Sequence, residues 1–233
     1  MKGRSLSLGV AFAFVVSCGV YSCNRCRQRT CGDCVLQFRI EQNREMILFS
    51  RYGNPPQFAI WLEECETGAE RTVFVTYCSG TGKWKGKFEC PSSLARWYGV
   101  FQRENGCKSL PGPKGAAPDA VTGATPESAA FEHSVRVESG RQWVCWVEVN
   151  MSADFNETFV ESNERTGEVD TDQCGQPGLL YRGVITAEPG AAVELTPYGY
   201  SLFDGSIERD LSVITTAKNI FKSVQVCAMT DAG

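Results

Sequence analysis

Short runs of β-branched and aromatic residues follow one another along the chain after residue 34. Ten of them, five to nine residues long, are separated by turn clusters such as YGNPP and AEPG. The runs are residues 35–40, 46–50, 57–62, 71–77, 133–139, 141–149, 178–185, 191–196, 210–215 and 220–226. The run RQWVCWVEV alternates with a period of two, as expected of a strand with two different faces. This pattern predicts a mainly β fold, an antiparallel, immunoglobulin-like β-sandwich over residues 35–233.

Helix signals and nucleotide-binding motifs are scarce. Only PSSLARWYGVFQ, residues 91–102, predicts a helix, with Ser92 or Ser93 as its N-cap, and we expect at most one or two short helices. No glycine-rich phosphate loop opens a helix after a strand, which disfavours nucleotide-binding α/β folds. The 23 basic and 27 acidic residues give a net charge of −4 without a basic stripe, so nucleic acid is not an expected partner.

Residues 1–17 have the pattern of an export signal. Lys2 and Arg4 precede the apolar run LSLGVAFAFVV, which is too short to span a bilayer comfortably. The run leads into VVSC, which resembles a bacterial lipobox, and this resemblance implies a lipid on Cys18 as the first mature residue. The alternatives are an ordinary cleavage site, an uncleaved anchor, or lipid on Cys23. The sequence thus predicts an extracytoplasmic lipoprotein, in the periplasm or at the cell surface, anchored to a membrane by its lipid.

Twelve cysteines suit an oxidising compartment, in which disulfides persist. The predicted tether, residues 18–34, contains CNRCRQRTCGDC, with Cys23, Cys26, Cys31 and Cys34. Two small disulfide loops are the first interpretation, but paired CxxC units also hold zinc or iron–sulfur clusters, so these four are candidate metal ligands. The seven cysteines that follow are predicted disulfide partners of unknown pairing: Cys65, Cys78, Cys90, Cys107, Cys145, Cys174 and Cys227.

Residues 108–130, KSLPGPKGAAPDAVTGATPESAA, have no hydrophobic period and are rich in Pro, Gly and Ala, which predicts a long, flexible surface loop. Within this loop the pattern D-x-x-T-G-A-T is formed by Asp119, Thr122, Gly123, Ala124 and Thr125. A threonine hydroxyl is a weak nucleophile until a partner enzyme activates it, and small neighbours allow that enzyme to approach the backbone. An Asx-type turn built of small residues is the structural alternative.

The pattern resembles the recognition motif of ApbE-type flavin transferases. Those enzymes cleave FAD and join FMN by a phosphoester to the motif's last threonine, so the resemblance implies FMN on Thr125. The segments FAIWLEE, RTVFVTY, DAVTGATP, WVEVNMSADFNE and GQPGLLYRG are also similar to a family of predicted periplasmic proteins, domain of unknown function twenty-two seventy-one. Members of that family tend to accompany PepSY-type membrane proteins and ApbE-type transferases. The resemblance therefore implies an extracytoplasmic flavin or redox system with those partners, although DAVTGAT also suits a structural turn.

These observations lead to three expectations for function. The first is a lipoprotein that carries covalent FMN on Thr125 and relays electrons, a substrate of the transferase rather than an enzyme, without catalytic residues. The second is a structural or binding lipoprotein without a cofactor. The third is a redox or metal-binding accessory protein that uses the N-terminal cysteine cluster.

Two further features have structural interpretations. The segment VEVNMSADFNETF, residues 147–159, is rich in side-chain oxygens, which can bind calcium. Hydrogen bonds from these side chains to backbone groups, which would shape a connection between strands, are the favoured interpretation. The single histidine, His133, is expected to be structural.

Overall fold

The computed structural model describes residues 33–49, 56–82, 90, 93–106, 121–123, 129–163, 165–170 and 174–231. All of them belong to one compact unit, Cys31–Gly233. The strands are β1 (Asp33–Gln42), β2 (Gln57–Glu64), β3 (Glu70–Thr76), β4 (Val121–Gly123), β5 (Ala130–Glu138), β6 (Gln142–Asn150), β7 (Leu179–Thr186), β8 (Ala192–Glu194), β9 (Thr196–Ser201), β10 (Ile207–Glu208) and β11 (Phe221–Thr230). The helices are α1 (Arg44–Leu48), α2 (Tyr77–Thr81) and α3 (Ala95–Asn105), with 3₁₀ turns at Leu211–Val213 and Thr216–Asn219.

These strands form two sheets. The smaller has the order β5-β1-β11-β8, and the larger has the order β10-β9-β7-β6-β2-β3-β4. Neighbouring strands are antiparallel except for β3 and β4, which are parallel. The predicted mainly β, antiparallel sandwich is confirmed, and its described strands outnumber the roughly seven to nine of an immunoglobulin domain.

Alternate residues of facing strands fill the space between the sheets. Leu36, Phe38 and Ile40 of β1 are fully buried there, as are Phe58 and Ile60 of β2. The ring of Phe58 also lies 5.1 to 5.7 Å from aromatic rings of both β5 and β11 in the smaller sheet. Burying each such side chain stabilises the fold by about 1.5–3 kcal/mol, so the period-two pattern holds the two sheets together.

A second apolar cluster covers the outer face of the larger sheet. Trp61 of β2 and Trp146 of β6 stack with ring centroids 5.8 Å apart, and α3 packs over this face with Trp97 and Phe101. The centre of the larger sheet, at β2 and β6, is therefore buried on both faces, which explains why β2 is almost continuously apolar rather than alternating. None of the described helices is long and apolar enough to cross a membrane.

The connections divide unequally between the two ends of the sandwich. At one end β3, β4, β6 and β9 finish and β2, β5, β7 and β11 begin. We call this the loop end, because the long connection 151–178 lies there. The hairpin end has the short turns 65–69, 139–141 and 187–191, together with the start of β1 and the finish of β11. A nine-residue strand separates the two ends by about 30 Å.

Two predicted strands adopt other structures. Residues 46–50 fall largely in α1, because Asn43 Oδ1 accepts a hydrogen bond from Met46 N (3.3 Å) and so begins a helical turn. Only Ile47 of that helix is buried, whereas Leu48 is exposed, so the run does not supply a sheet face. The run 210–215 contains a 3₁₀ turn, which the Asp210 side chain caps at Ser212 N (2.9 Å). With α2, the described residues contain three α-helices, rather than the one or two expected.

Candidate functional site at the loop end

The flavin-acceptor pattern enters the described structure through β4. Val121–Gly123 pairs in parallel with β3, with Thr122 opposite Val75 and Gly123 opposite Thr76. The predicted loop 108–130 is therefore not structureless throughout, because the edge of β3 offers backbone hydrogen-bonding groups that β4 takes up. β4 ends at Gly123, at the loop end. Asp119, Ala124 and Thr125 lie outside the described residues, so FMN on Thr125 stays a prediction.

Buried polar side chains fix the end of β3, the strand with which β4 pairs. Thr76 Oγ1 donates to Gln57 Oε1 (2.7 Å) and accepts from Phe58 N (3.2 Å). Ser79 in α2 adds a 3.4 Å hydrogen bond to the same Gln57 oxygen. Thr76, Gln57 and Ser79 are all buried, where a lost partner would cost about 1–3 kcal/mol. The backbone opposite Gly123 is thus held firmly, while Tyr77, the next residue, is 38% exposed.

A disulfide closes the loop end on the outer face. Cys90 and Cys174 are bonded, with Cα atoms 5.3 Å apart, and both are buried. The bond joins the segment before α3 to the connection between β6 and β7. Beside it, Asn150 Nδ2 donates to Gln176 O (2.7 Å). The predicted disulfide chemistry is confirmed for this pair.

Three of the other predicted disulfide partners have free thiols, and the disulfide prediction is wrong for them. They are Cys65, Cys145 and Cys227, whereas Cys107 lies outside the described residues. In the strand pairing, Leu62 lies opposite Cys145 and Gln37 lies opposite Cys227, so neither thiol has a cysteine directly across the sheet. Burial raises the pKa of the Cys145 thiol far above its ordinary value, so it behaves as an apolar core side chain.

Glu148 of β6 is a fully buried carboxylate beneath the first turn of α3. Its Oε2 accepts from Trp97 N (2.7 Å) and its Oε1 accepts from Arg96 N (3.3 Å). Burial raises the pKa of Glu148 to about 7, against the opposing effect of hydrogen bonds from Ser201, Trp97 and Arg96. A Cβ atom on Gly178 would lie 2.6 Å from Oε1, so this glycine makes room for the carboxylate.

Glu148 also explains why the predicted helix cap is wrong. The helix exists as α3, but its N-cap is Leu94, whose side chain makes no capping bond. The Oγ atom of Ser93 instead lies 3.4 Å from Ser79 Oγ, within the buried polar cluster that also contains Gln57 and Thr76. A carboxylate from a neighbouring strand satisfies the free N–H groups better than a hydroxyl, because it is charged and interacts favourably with the helix dipole. Sequence reasoning missed this role, although an acid on the same strand face as Trp146 was a signal.

The oxygen-rich segment after β6 is structural, as predicted. Asn156 Oδ1 accepts from Thr158 N (2.9 Å) and Phe159 N (2.8 Å), which forms an Asx-type turn. Gln176 Nε2 donates to Asp154 Oδ2 (2.8 Å) and so closes the connection. Within the described ranges, no group of three or more His, Cys, Asp or Glu side chains is arranged to hold a metal ion.

Cys34 lies at the hairpin end, far from the acceptor pattern. It is a free thiol buried in β1, so the disulfide loop expected for it is wrong. The thiol donates to Met229 O (3.4 Å), and burial raises its pKa. The neutral thiol that this environment favours is a poor metal ligand. The other proposed ligands, Cys23, Cys26 and Cys31, and the lipidation candidate Cys18 lie outside the described residues. Since β1 begins at Asp33, the sandwich starts two residues before the predicted boundary.

The structure thus places Thr122 and Gly123 at the loop end and Cys34 at the opposite end. His133 packs against the rings of Phe74 (5.5 Å) and Phe131 (6.3 Å), in line with a structural role. Neither protein-family models nor curated proteins nor solved structures give a match to this chain.

Proposed function

We propose that this protein is an extracytoplasmic lipoprotein that carries FMN on Thr125 and relays electrons. It would be a substrate of an ApbE-type flavin transferase rather than an enzyme. The observation that supports this most is the place of Thr122 and Gly123, which are the last two residues of the edge strand β4 and lie at the loop end of the larger sheet. A transferase must enclose the acceptor threonine in its own active site. An acceptor two residues beyond an edge strand meets that requirement better than one inside a sheet.

The residues around the edge strand suit a bound flavin. Thr76, which lies opposite Gly123, is held in place by its hydrogen bond to Gln57. The backbone from which the acceptor threonine follows would therefore be rigid. Tyr77, beside it, would offer an exposed aromatic ring for stacking on the isoalloxazine. The flavin would supply the electron-transfer chemistry, and this chain would position the group and tether it.

The start of β1 and the end of β4 lie at opposite ends of the sandwich. β1 begins at the hairpin end, so the lipid anchor expected at Cys18 would join the domain there. β4, which contains Thr122 and Gly123 of the acceptor pattern, finishes at the loop end, about 30 Å away along the strands. A flavin held there would lie at the end of the sandwich opposite to the start of β1, and donor and acceptor proteins would reach it there, among which a PepSY-type membrane protein is one candidate.

The metal-binding alternative gains no comparable support. It needs Cys34 as a thiolate together with Cys23, Cys26 and Cys31, but the Cys34 thiol is buried against the backbone of β11. A thiolate at that position would carry an uncompensated charge in an apolar core, which costs several kcal/mol.

The test is co-expression of the chain with an ApbE-type transferase. The wild-type protein is expected to run as a yellow, fluorescent band on a denaturing gel, and the Thr125→Ala variant as a colourless band. Thr125→Ser, which keeps the hydroxyl, is the matched control and should retain fluorescence. A colourless wild-type protein, or a fluorescent Thr125→Ala variant, would refute the proposal.

A further inference from the structure

Exposed apolar side chains gather at the loop end. Nine large hydrophobic side chains are exposed in the part of the chain that the structure describes, and seven of them lie at this end. The seven are Leu48, Phe49, Tyr77, Val160, Val169, Leu202 and Phe203, whereas Val184 and Met229 lie on strands. Scattered exposed hydrophobic residues are normal, but their concentration at one end of a domain marks an interaction surface.

Three of these side chains, Val160, Val169 and Phe203, line an open groove. The groove has a volume of about 420 Å³ and is lined by Phe159, Val160, Val169 and Phe203, with Glu168 and Asp170 beside them. Phe203 is 84% exposed and Val169 is 57% exposed, so the groove offers apolar contact area to another molecule. It lies between the β6–β7 connection and the turn after β9.

The groove lies in the most acidic part of the chain. The connection 151–177 contains seven acids and one basic residue, which is seven negative charges against one positive, a net −6. The acids are Asp154, Glu157, Glu161, Glu164, Glu168, Asp170 and Asp172, and the basic residue is Arg165. Since the whole chain carries only −4, this connection holds more than the entire excess of negative charge. The field at the groove therefore attracts positively charged partners.

We infer that the groove docks a redox protein whose face carries a basic rim around an apolar centre. A second copy of this chain would bring two acidic connections together, and such like-charge contact opposes association. An anionic membrane surface would be repelled in the same way. A basic protein face satisfies both the charge and the exposed Phe203. The partner's role in electron relay rests on the proposed function, whereas the docking does not.

The groove and the acceptor pattern are close enough to share one partner. β7 lies four places from β4 in the larger sheet, which is about 19 Å at the usual strand spacing. A standard interface covers about 800 Å² on each partner, a patch roughly 30 Å across. A protein docked over the groove would therefore extend toward the point at which the chain leaves β4.

The test uses the Thr125→Ala chain, so that binding is measured without flavin. We expect saturable binding of a basic c-type cytochrome at low ionic strength, lost as salt rises, and no binding of an acidic c-type cytochrome. Phe203→Ser should weaken binding about tenfold, and the pair Glu157→Lys/Glu168→Lys should weaken it by at least about tenfold. All three positions are exposed or line the open groove, so the variants should remain folded.

Matched controls separate docking from net charge. Val184→Ser removes an exposed apolar side chain on β7, and Glu188→Lys/Glu194→Lys changes the net charge by the same amount away from the groove. Both should bind the basic cytochrome as the parent does. Equal loss in the control pair, or no saturable binding at all, would overturn the inference. So would binding to anionic phospholipid vesicles that Phe203→Ser abolishes, because lipid would then be the occupant. None of these outcomes bears on flavin attachment at Thr125.

Discussion

The buried carboxylate of Glu148 makes the stability of this protein depend on pH in a direction opposite to that of a surface ion pair. The pKa of Glu148 is raised from an ordinary value near 4.5 to about 7. Between these values the folded state binds a proton that the unfolded state releases, so the free energy of unfolding falls as pH rises. At about 1.4 kcal/mol per pKa unit, the loss is about 3 kcal/mol between pH 4.5 and pH 8.

The assay compares the wild-type protein with Glu148→Gln by urea unfolding at pH 4.5 and at pH 8. Glutamine is neutral at both values, so the difference in unfolding free energy between variant and wild type should shift by about 3 kcal/mol in favour of the variant at pH 8. The oxygen of the glutamine amide can still accept from Trp97 N, but the amide nitrogen then faces Arg96 N, which is also a donor. This mismatch costs about 1–3 kcal/mol at both pH values. The change with pH, rather than either single value, is therefore the readout.

Glu188→Gln, at an exposed acid in the 187–191 turn, is the control and should show no such shift. A Glu148→Gln difference that is the same at both pH values would refute the reasoning. In that case the helix N-terminus would stabilise the ionised carboxylate enough to offset its burial.

Two further perturbations test the loop end. Gly178→Ala should destabilise the protein by about 1–3 kcal/mol in urea unfolding, because the added Cβ would meet Glu148 Oε1 at 2.6 Å, and a normal stability would show that the carboxylate can move aside. Cys90→Ser/Cys174→Ser should cost about 2–5 kcal/mol, because the bond closes a loop with a sequence separation of 84 residues, and an unchanged melting temperature would contradict a structural role for it.

The strands could be predicted where one face of the strand is buried and turn-forming residues mark its ends in the sequence. The run 141–149 has both properties and forms β6 almost residue for residue. The run 46–50 is apolar without a period, and such a run does not distinguish strand from helix. Asn43, three residues earlier, decides the outcome by capping α1, so the missed signal was a polar residue outside the run.

The loop end could not be predicted in the same way, because its contacts are between residues distant in sequence. Glu148 caps a helix that begins 53 positions earlier, at Ala95, and no local cap pattern contains that pairing. β4 is only three residues long, too short for any period, and forms because β3 has a free edge. Disulfide pairing has the same character, since Cys90 and Cys174 are brought together only by the folded sheets.

The proposed function depends on one covalent bond, which mass spectrometry of a single peptide can detect. Trypsin releases residues 115–136 as one peptide, which contains the hydroxyls of Thr122, Thr125, Ser128 and Ser134. In protein made together with an ApbE-type transferase, we expect this peptide to carry one FMN, with fragment ions that place it on Thr125. A peptide of unmodified mass, or FMN on one of the other three hydroxyls, would contradict the assignment of Thr125 as the flavin acceptor.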